Sequence, residues 1–357
     1  MPENKHKKPT VACTGSSRRH VRVGVIGAGA WGSNLVRNFH QLGVLGGIAD
    51  NCPQRCQALR QTYPDIPCHR DMQALLASEV DAVAVATPVK SHYEVVKAAL
   101  LSGKDVFVEK PLTTNLAKAE ELQALASRLG RILVVGHLVL FQPAVQWIRD
   151  YLREGRLGTI RSIHQERLNL GRVRDYENAL WCLGSHDVAV QLYLLDSLPH
   201  ELRVHGQCVH QDHIEDDVHL HLGYPGGIQS HLHVSWWWPT KRRSLTILGT
   251  EGILVYDEID QTVTRHYKGI GNDLDVRDEG SELLCEGHGE PLKLELEHFL
   301  DCVRQRRLQL ADNQYAVDVV RVIAAASEQL RTQAARQQGH RERVPLKLVK
   351  HRTGELL

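Results

Sequence analysis

At 357 residues the chain is long enough for two domains of roughly 100–200 residues, each with its own core. Its 43 Lys and Arg against 42 Asp and Glu leave a formal charge of +1, which excludes a general nucleic-acid binder and a surface drawn to anionic membranes. The eight cysteines (13, 52, 56, 68, 182, 208, 285 and 302) show no CxxC pair and no regular spacing, so reduced thiols in a cytoplasmic protein are expected, not a disulfide framework or a zinc module.

Residues 1–20 are basic but lack an apolar stretch of about 7–15 residues before a cleavage site, and so read as a disordered, solvated tail and not as a secretory signal. No stretch approaches the roughly 20 apolar residues of a membrane span. From 21 to 140, short β-branched runs at Val21–Ile26, Val44–Ala49, near Cys68, Asp81–Ala86, Asp105–Val108 and Ile132–Val135 alternate with helical patterns such as Trp31–Leu42, Ser91–Leu101 and Asn115–Leu129. That alternation predicts an α/β Rossmann domain, doubly wound around a parallel sheet. Residues 141–357 read as an α+β domain with a large, mostly antiparallel sheet. A helix at Pro143–Arg153 precedes strands at Ile160–Leu170, Glu201–Cys208, Asp217–Leu222, Ile228–Trp237, Ser244–Leu248, Gly252–Tyr256 and Thr262–Tyr267. Helices are expected near His186–Leu195, Leu292–Arg304 and Gln314–Gln333, and residues 269–290, rich in Gly, Asp and Glu, read as an exposed loop.

The first strand runs into Gly27-Ala28-Gly29-Ala30-Trp31-Gly32 and then a helix. Gly27 permits the tight turn, Gly29 the approach of a pyrophosphate, and Gly32 close packing of helix on strand. Asp50 closes the second strand, where a carboxylate accepts both ribose hydroxyls and repels a 2′-phosphate, so NAD is expected over NADP. Arg55 softens that exclusion only by folding back, and on the following helix the ordinary expectation is a solvated side chain. Ala86-Thr87-Pro88 ends the fourth strand with His92 beyond it, either a plain loop and helix start or a wall beside the nicotinamide half of the cofactor. The fifth strand runs straight into Glu109-Lys110-Pro111 at the sheet's carboxyl edge, where the cofactor must lie.

Strand, Gly-rich turn, Ala86-Thr87-Pro88 and Glu109-Lys110-Pro111 in this order resemble the Gfo/Idh/MocA family of nicotinamide-dependent sugar and inositol oxidoreductases, over nearly the whole chain from Val21. The resemblance implies that Lys110 contacts the hydroxyl being oxidised and that a second-domain histidine, here His186 in Trp181-Cys182-Leu183-Gly184-Ser185-His186-Asp187, completes the site. It also brings Ala30, Trp31 and Glu109 to the cofactor, Trp181 to the substrate, and Asp187 to the substrate or to a local hydrogen-bonding role. The family's aspartate four residues before this histidine is Cys182 here, which leaves an Asp, Lys and His proton chain incomplete. Alcohol oxidation needs a base within reach of the hydroxyl. An imidazole with a pKa of about 6.5 serves near neutrality, whereas a lysine at about 10.4 does so only when shifted down. His186 is therefore expected as base, with Lys110 polarising the hydroxyl, although the roles are exchangeable.

Arg167 and Asn169 lie two apart on one strand face, and Arg172, Arg174, Tyr176 and Glu177 follow. Cations beside the histidine suit an anionic nucleotide-sugar diphosphate, and a solvated basic hairpin is the plain alternative. With Gly136-His137-Leu138 and Gln142-Pro143, the stretch resembles the branch of the family that oxidises C3 of UDP-N-acetylglucosamine and related sugars, whose 3-keto product goes to a partner transaminase. Enzymes acting on UDP-N-acetylglucosaminuronic acid, inositol or free-sugar dehydrogenases, and a catalytically silent NAD or sugar sensor are the competing readings.

Pairing Tyr224 with Ile228 places His219 opposite His233 and His221 opposite His231, with Val218, Leu220, Leu222, Leu232 and Val234 on the other face. The apolar face is expected to cover helices. The histidine face is left for solvent or for another subunit, and the resemblance implies association through this sheet in a homodimer or homotetramer. Imidazoles suit Zn²⁺ or Ni²⁺, but no carboxylate or cysteine is evident to complete a set, so no metal is expected.

Overall fold

In the computed structural model, which describes residues 21–271, 273–308 and 313–339, the alternating pattern builds two sheets. The first is formed by β1 (Val23–Ile26), β2 (Leu45–Ala49), β3 (Cys68–His69), β4 (Ala82–Val85), β5 (Asp105–Glu109) and β6 (Leu133–Gly136). Their spatial order is 3-2-1-4-5-6 and every pairing is parallel. The connecting helices are α1 (Gly32–Gln41), α2 (Pro53–Thr62), α3 (Met72–Leu76), α4 (Val89–Leu101) and α5 (Leu116–Arg128). Because helices cover both faces, the strands are buried along nearly their whole length and read as unbroken apolar runs. The order reverses between β1 and β4, which opens a crevice at the carboxyl ends where a nucleotide lies.

The second sheet follows α6 (Pro143–Arg153) and comprises β7 (Ile160–Leu170), then, after α7 (Ser185–Leu195), β8 (Glu201–Gln207), β9 (Asp217–Gly223), β10 (Gln229–Ser235), β11 (Trp237–Gly249), β12 (Gly252–Asp257), β13 (Thr262–Ile270) and β14 (Val276–Glu286). The order is 14-13-12-11-7-10-9-8, antiparallel except for β7 beside β10. The predicted histidine register is observed, and Val218, Leu220, Leu222, Leu232 and Val234 are all buried against the helical layer. Two helices close the chain. Leu296, Phe299 and Leu300 of α8 (Pro291–Gln305) return to the first sheet's core, with Phe299 packed 5.8 Å from Phe107. The last, α9 (Asn313–Gly339), lies against α5, α7 and β8. No helix among the described residues is long and apolar enough to cross a membrane.

The expected loop at 269–290 is largely a strand. β14 pairs with β13 at the sheet's edge and exposes almost every side chain, so it lacks the half-buried alternation by which strands are recognised. Ladder hydrogen bonds and cross-strand pairs such as Lys268 with Asp278 at 2.9 Å hold it.

Candidate active site

The carboxyl edge of the first sheet opens into a groove of about 850 Å³ lined by Gly27, Gly29, Ala30, Trp31, Asp50, Arg55, Thr87 and Pro88. Gly27 has φ +88°, which disfavours any side chain there, and a Cβ on Gly32 would stand 1.9 Å from the Gly27 carbonyl oxygen. Gly29 faces open space, so a ligand's phosphates approach its backbone unhindered. With the positive dipole end of α1 behind it, this turn fits a pyrophosphate.

The Asp50 carboxylate is buried and accepts the Ala28 and Cys52 N–H groups, both at 2.8 Å. Arg55 does fold back, its Nε lying 3.0 and 3.1 Å from the two carboxylate oxygens and its Nη2 3.0 Å from one of them. A cation thus stands beside the atoms that would exclude a 2′-phosphate. Arg55→Ala is expected to lower kcat/KM with NADP⁺ by about tenfold relative to NAD⁺, the loss of one charge-assisted contact. Steady-state assays with both cofactors check this, and an unchanged ratio would show that Arg55 plays no part in the choice.

The groove continues into a cleft of about 490 Å³ between the two sheets, sharing Trp31, Thr87, Pro88, Arg174 and Tyr176 with it. Lys110 and His186 both line this cleft. Lys110 Nζ donates to the Cys182 carbonyl oxygen at 2.9 Å, so the main chain of the residue in the expected aspartate's place holds the lysine. Cys182 lies in a wide π-type turn, Leu180–Gly184, leading into α7. His186 Nδ1 is buried without a hydrogen-bond partner among the described residues. Burial, then the charges of Lys110 and Arg167, keep its ring well below the usual imidazole range. His137, just beyond β6, is also neutral, pushed down to about 3 by burial and by Lys110.

Several expected contacts resolve differently. Arg167 is buried, its Nε 3.0 Å from both oxygens of Asp187 and its Nη atoms 3.0 and 2.5 Å from Glu258, which Arg243 also holds at 3.1 Å. Asp187 is wholly buried and accepts a further bond from Gln165 at 2.8 Å, so its carboxylate braces Arg167 beneath the cleft and does not face a substrate. Burial pushes the Glu258 carboxyl up, but Arg167 and Arg243 outweigh it and hold it below the usual carboxylate range. Trp181 packs in the apolar core under the second sheet and Asn169 sits against Gly171, and neither lines the cleft. Arg174 does line it, paired with Glu177 at 3.0 Å and bonded to the Tyr176 hydroxyl. His92 is buried, its Nδ1 2.9 Å from the Pro111 carbonyl and its Nε2 2.8 Å from that of Thr87, so it ties the two loops that border the cleft.

The Trp31 indole donates to Glu109, linking the glycine turn to the lysine loop. Burial pushes the Glu109 carboxyl up to about 7 against that bond and the Lys110 charge. Glu295, contributed by α8, was not expected here. Both its oxygens are buried without a partner among the described residues, and burial, then Glu109, raises it well above the carboxylate range. Nothing in its sequence context marks it, because α8 reaches the site from far along the chain. Raised folded-state values make these two acids stabilising below pH about 4.5, and that contribution disappears as pH rises through about 7 for Glu109. Glu295→Met is expected to flatten this fall and to raise stability by about 1–3 kcal/mol at pH 8, read from urea unfolding across pH. A variant with the wild-type slope would rule out an ionisable role for Glu295.

Comparison with known proteins agrees with this geometry. Residues 21–137 match the model of the oxidoreductase family with an NAD-binding Rossmann fold, and residues 145–255 match the GFO/IDH/MocA C-terminal domain. The chain is 28% identical over 313 residues to the UDP-N-acetylglucosamine 3-dehydrogenase of Acidithiobacillus ferrooxidans, covering 86% of this chain and 95% of that protein. The solved structure of that dehydrogenase superposes with a TM-score of 0.78 at 25% identity, over 88% of this chain and 98% of the other. An oxidoreductase from Magnetospirillum magnetotacticum MS-1 superposes with a TM-score of 0.75 at 32% identity, over 85% and 99%.

Proposed function

Since this chain belongs to the Gfo/Idh/MocA family of NAD-dependent oxidoreductases, we propose that it oxidises the C3 hydroxyl of a UDP-N-acetylhexosamine, UDP-N-acetylglucosamine in the first instance. The observation that carries this reading is the likeness to a UDP-N-acetylglucosamine 3-dehydrogenase along almost its full length. Bound NAD supplies the hydride acceptor. Lys110, held by the Cys182 carbonyl, directs its remaining N–H groups at the substrate hydroxyl and stabilises the oxygen as its proton leaves. His186, kept neutral by burial and surrounding cations, takes that proton. Arg172, which lines the groove, receives the diphosphate.

A neutral C6 hydroxymethyl fits better than the carboxylate of a uronic acid. The cleft's guanidinium groups Arg167, Arg174 and Arg243 are each already paired with a carboxylate, which leaves none of them dedicated to another anion. The 3-keto product is a substrate for a transaminase making a 3-amino sugar. Association of subunits through the outer face of the second sheet is part of the same reading, and light scattering on the purified protein checks it.

The decisive experiment follows NADH formation with NAD⁺ and a panel of UDP-N-acetylglucosamine, UDP-N-acetylgalactosamine, UDP-N-acetylglucosaminuronic acid, inositol and glucose, with and without a trapping transaminase. Turnover is expected with UDP-N-acetylglucosamine and to increase on trapping. Turnover of inositol or glucose with none from any UDP-sugar overturns the substrate, and reduction of no cofactor by any member returns the chain to the sensor reading.

A further inference from the structure

The outer face of the second sheet carries a cluster remote from the cleft. Side chains alternate along a strand, so Asp217 shares a face with His219 and His221, and His231 with His233. His219 stands directly opposite His233, and Asp217 lies diagonally across from the same residue. The two imidazoles stack with centroids 3.9 Å apart and planes inclined by 15°. Both turn Nε2 to one carboxylate: His233 Nε2 lies 3.2 and 3.1 Å from the Asp217 oxygens and His219 Nε2 lies 3.7 Å from one of them. Contrary to the expectation that no carboxylate completes the histidine face, Asp217 has the parity to join it and lies against His233.

We propose that Asp217, His219 and His233 bind a divalent transition-metal ion of the Zn²⁺ class. Their ligand atoms all lie within 4.8 Å of one another. Tetrahedral bonds of about 2.0–2.1 Å place neighbouring ligand atoms roughly 3.3–3.4 Å apart. The observed 3.1 and 3.7 Å bracket that spacing for the two carboxylate–imidazole pairs. An imidazole lone pair lies in the ring plane, so the two stacked rings turn about their side-chain torsions to face the ion while the strand ladder stays in place. The His233 to Asp217 hydrogen bond and the His219 to His233 stack hold the three residues together, so the ion meets ligands that are already neighbours. Asp217 and His233 are largely shielded and His219 is half exposed, which leaves a fourth coordination position on the outward side. Two imidazoles and one carboxylate favour Zn²⁺, Co²⁺, Ni²⁺ and Cu²⁺ over Mg²⁺ and Ca²⁺, which prefer oxygen ligands.

The neighbouring pair supplies an internal control. His221 and His231 meet through their Nδ1 atoms at 2.7 Å, and His231 stacks on His164 at 4.8 Å, so these rings are committed to one another. Isothermal titration of the full chain, free of any histidine tag, with ZnCl₂ is expected to give one site in wild type and in the H221A/H231A variant. Affinity is expected to fall by about 100-fold in H219A/H233A and in D217A. Visible absorption of bound Co²⁺ should report a tetrahedral site that the same two variants lose, while their circular dichroism and dehydrogenase turnover are retained. No Zn²⁺ binding by wild type, unchanged affinity in H219A/H233A or D217A, or loss confined to H221A/H231A overturns the proposal. The readout is metal binding itself, so it stands apart from the identity of the sugar substrate.

Discussion

Replacing Lys110 by alanine is expected to lower kcat by about 10²–10³-fold, the size of effect seen when a donor to a developing oxyanion is removed. Lys110 leaves the fifth strand of the first sheet at its carboxyl edge and is oriented by the Cys182 carbonyl at 2.9 Å, so its charge lies inside the cleft and not in bulk water. His186→Ala is expected to cost about 10²–10⁴-fold through loss of the proton acceptor. The two residues are distinguishable by pH. Burial and the adjacent cations hold the His186 ring well below the imidazole range, so it is unprotonated over the whole neutral region. The acid limb of kcat/KM is therefore expected below pH about 6.5, and it should disappear in His186→Ala while surviving in Lys110→Ala. Near-wild-type turnover in both variants would remove this pair from the mechanism.

Arg167→Met is the change expected to cost most stability, about 3–5 kcal/mol. The wild-type side chain is buried between Asp187 and Glu258, which it contacts through Nε and both Nη atoms. Its loss leaves Asp187 wholly enclosed without its cation, while Glu258 keeps only Arg243. Desolvation of the orphaned Asp187 carboxylate dominates, and for that reason Arg167→Met with Asp187→Asn is expected to recover part of the loss. Urea unfolding measures both. The same variant decides between two roles for Arg167: a residue that meets the nucleotide sugar would raise KM with little change in unfolding midpoint, whereas a brace beneath the cleft lowers the midpoint first.

Legibility of the site follows the range of the interactions. Gly27, Gly29, Gly32 and Asp50 belong to one strand, turn and strand unit whose backbone geometry dictates residue type locally, and their expected places are the observed ones. Lys110 and His186 are recognisable from short motifs, though only the fold brings both to the same cleft. The family resemblance implies a substrate contact for Trp181. The wide turn at Leu180–Gly184 instead turns it into the core. Arg167 and Arg174 look alike as sequence, two cations in one basic stretch. Yet Glu258, 91 residues further on, makes the first a buried structural ion.

The succession of strands and helices apart from β14, the nucleotide turn and the register of the histidine hairpin are legible in the residues alone, because each depends on neighbours along the chain and on periods of 2 and 3.6 residues. Tertiary structure alone decided which charges are free and which are paired. Arg55 lies over Asp50, Asp187 is closed off by Arg167, Glu295 arrives behind Glu109 from α8, and β14 is a strand by virtue of β13. The physical reason is common to all four. An ionisable or edge group takes its state from whatever it meets across space, and burial, countercharge and ladder partners are set by elements that the local sequence does not contain.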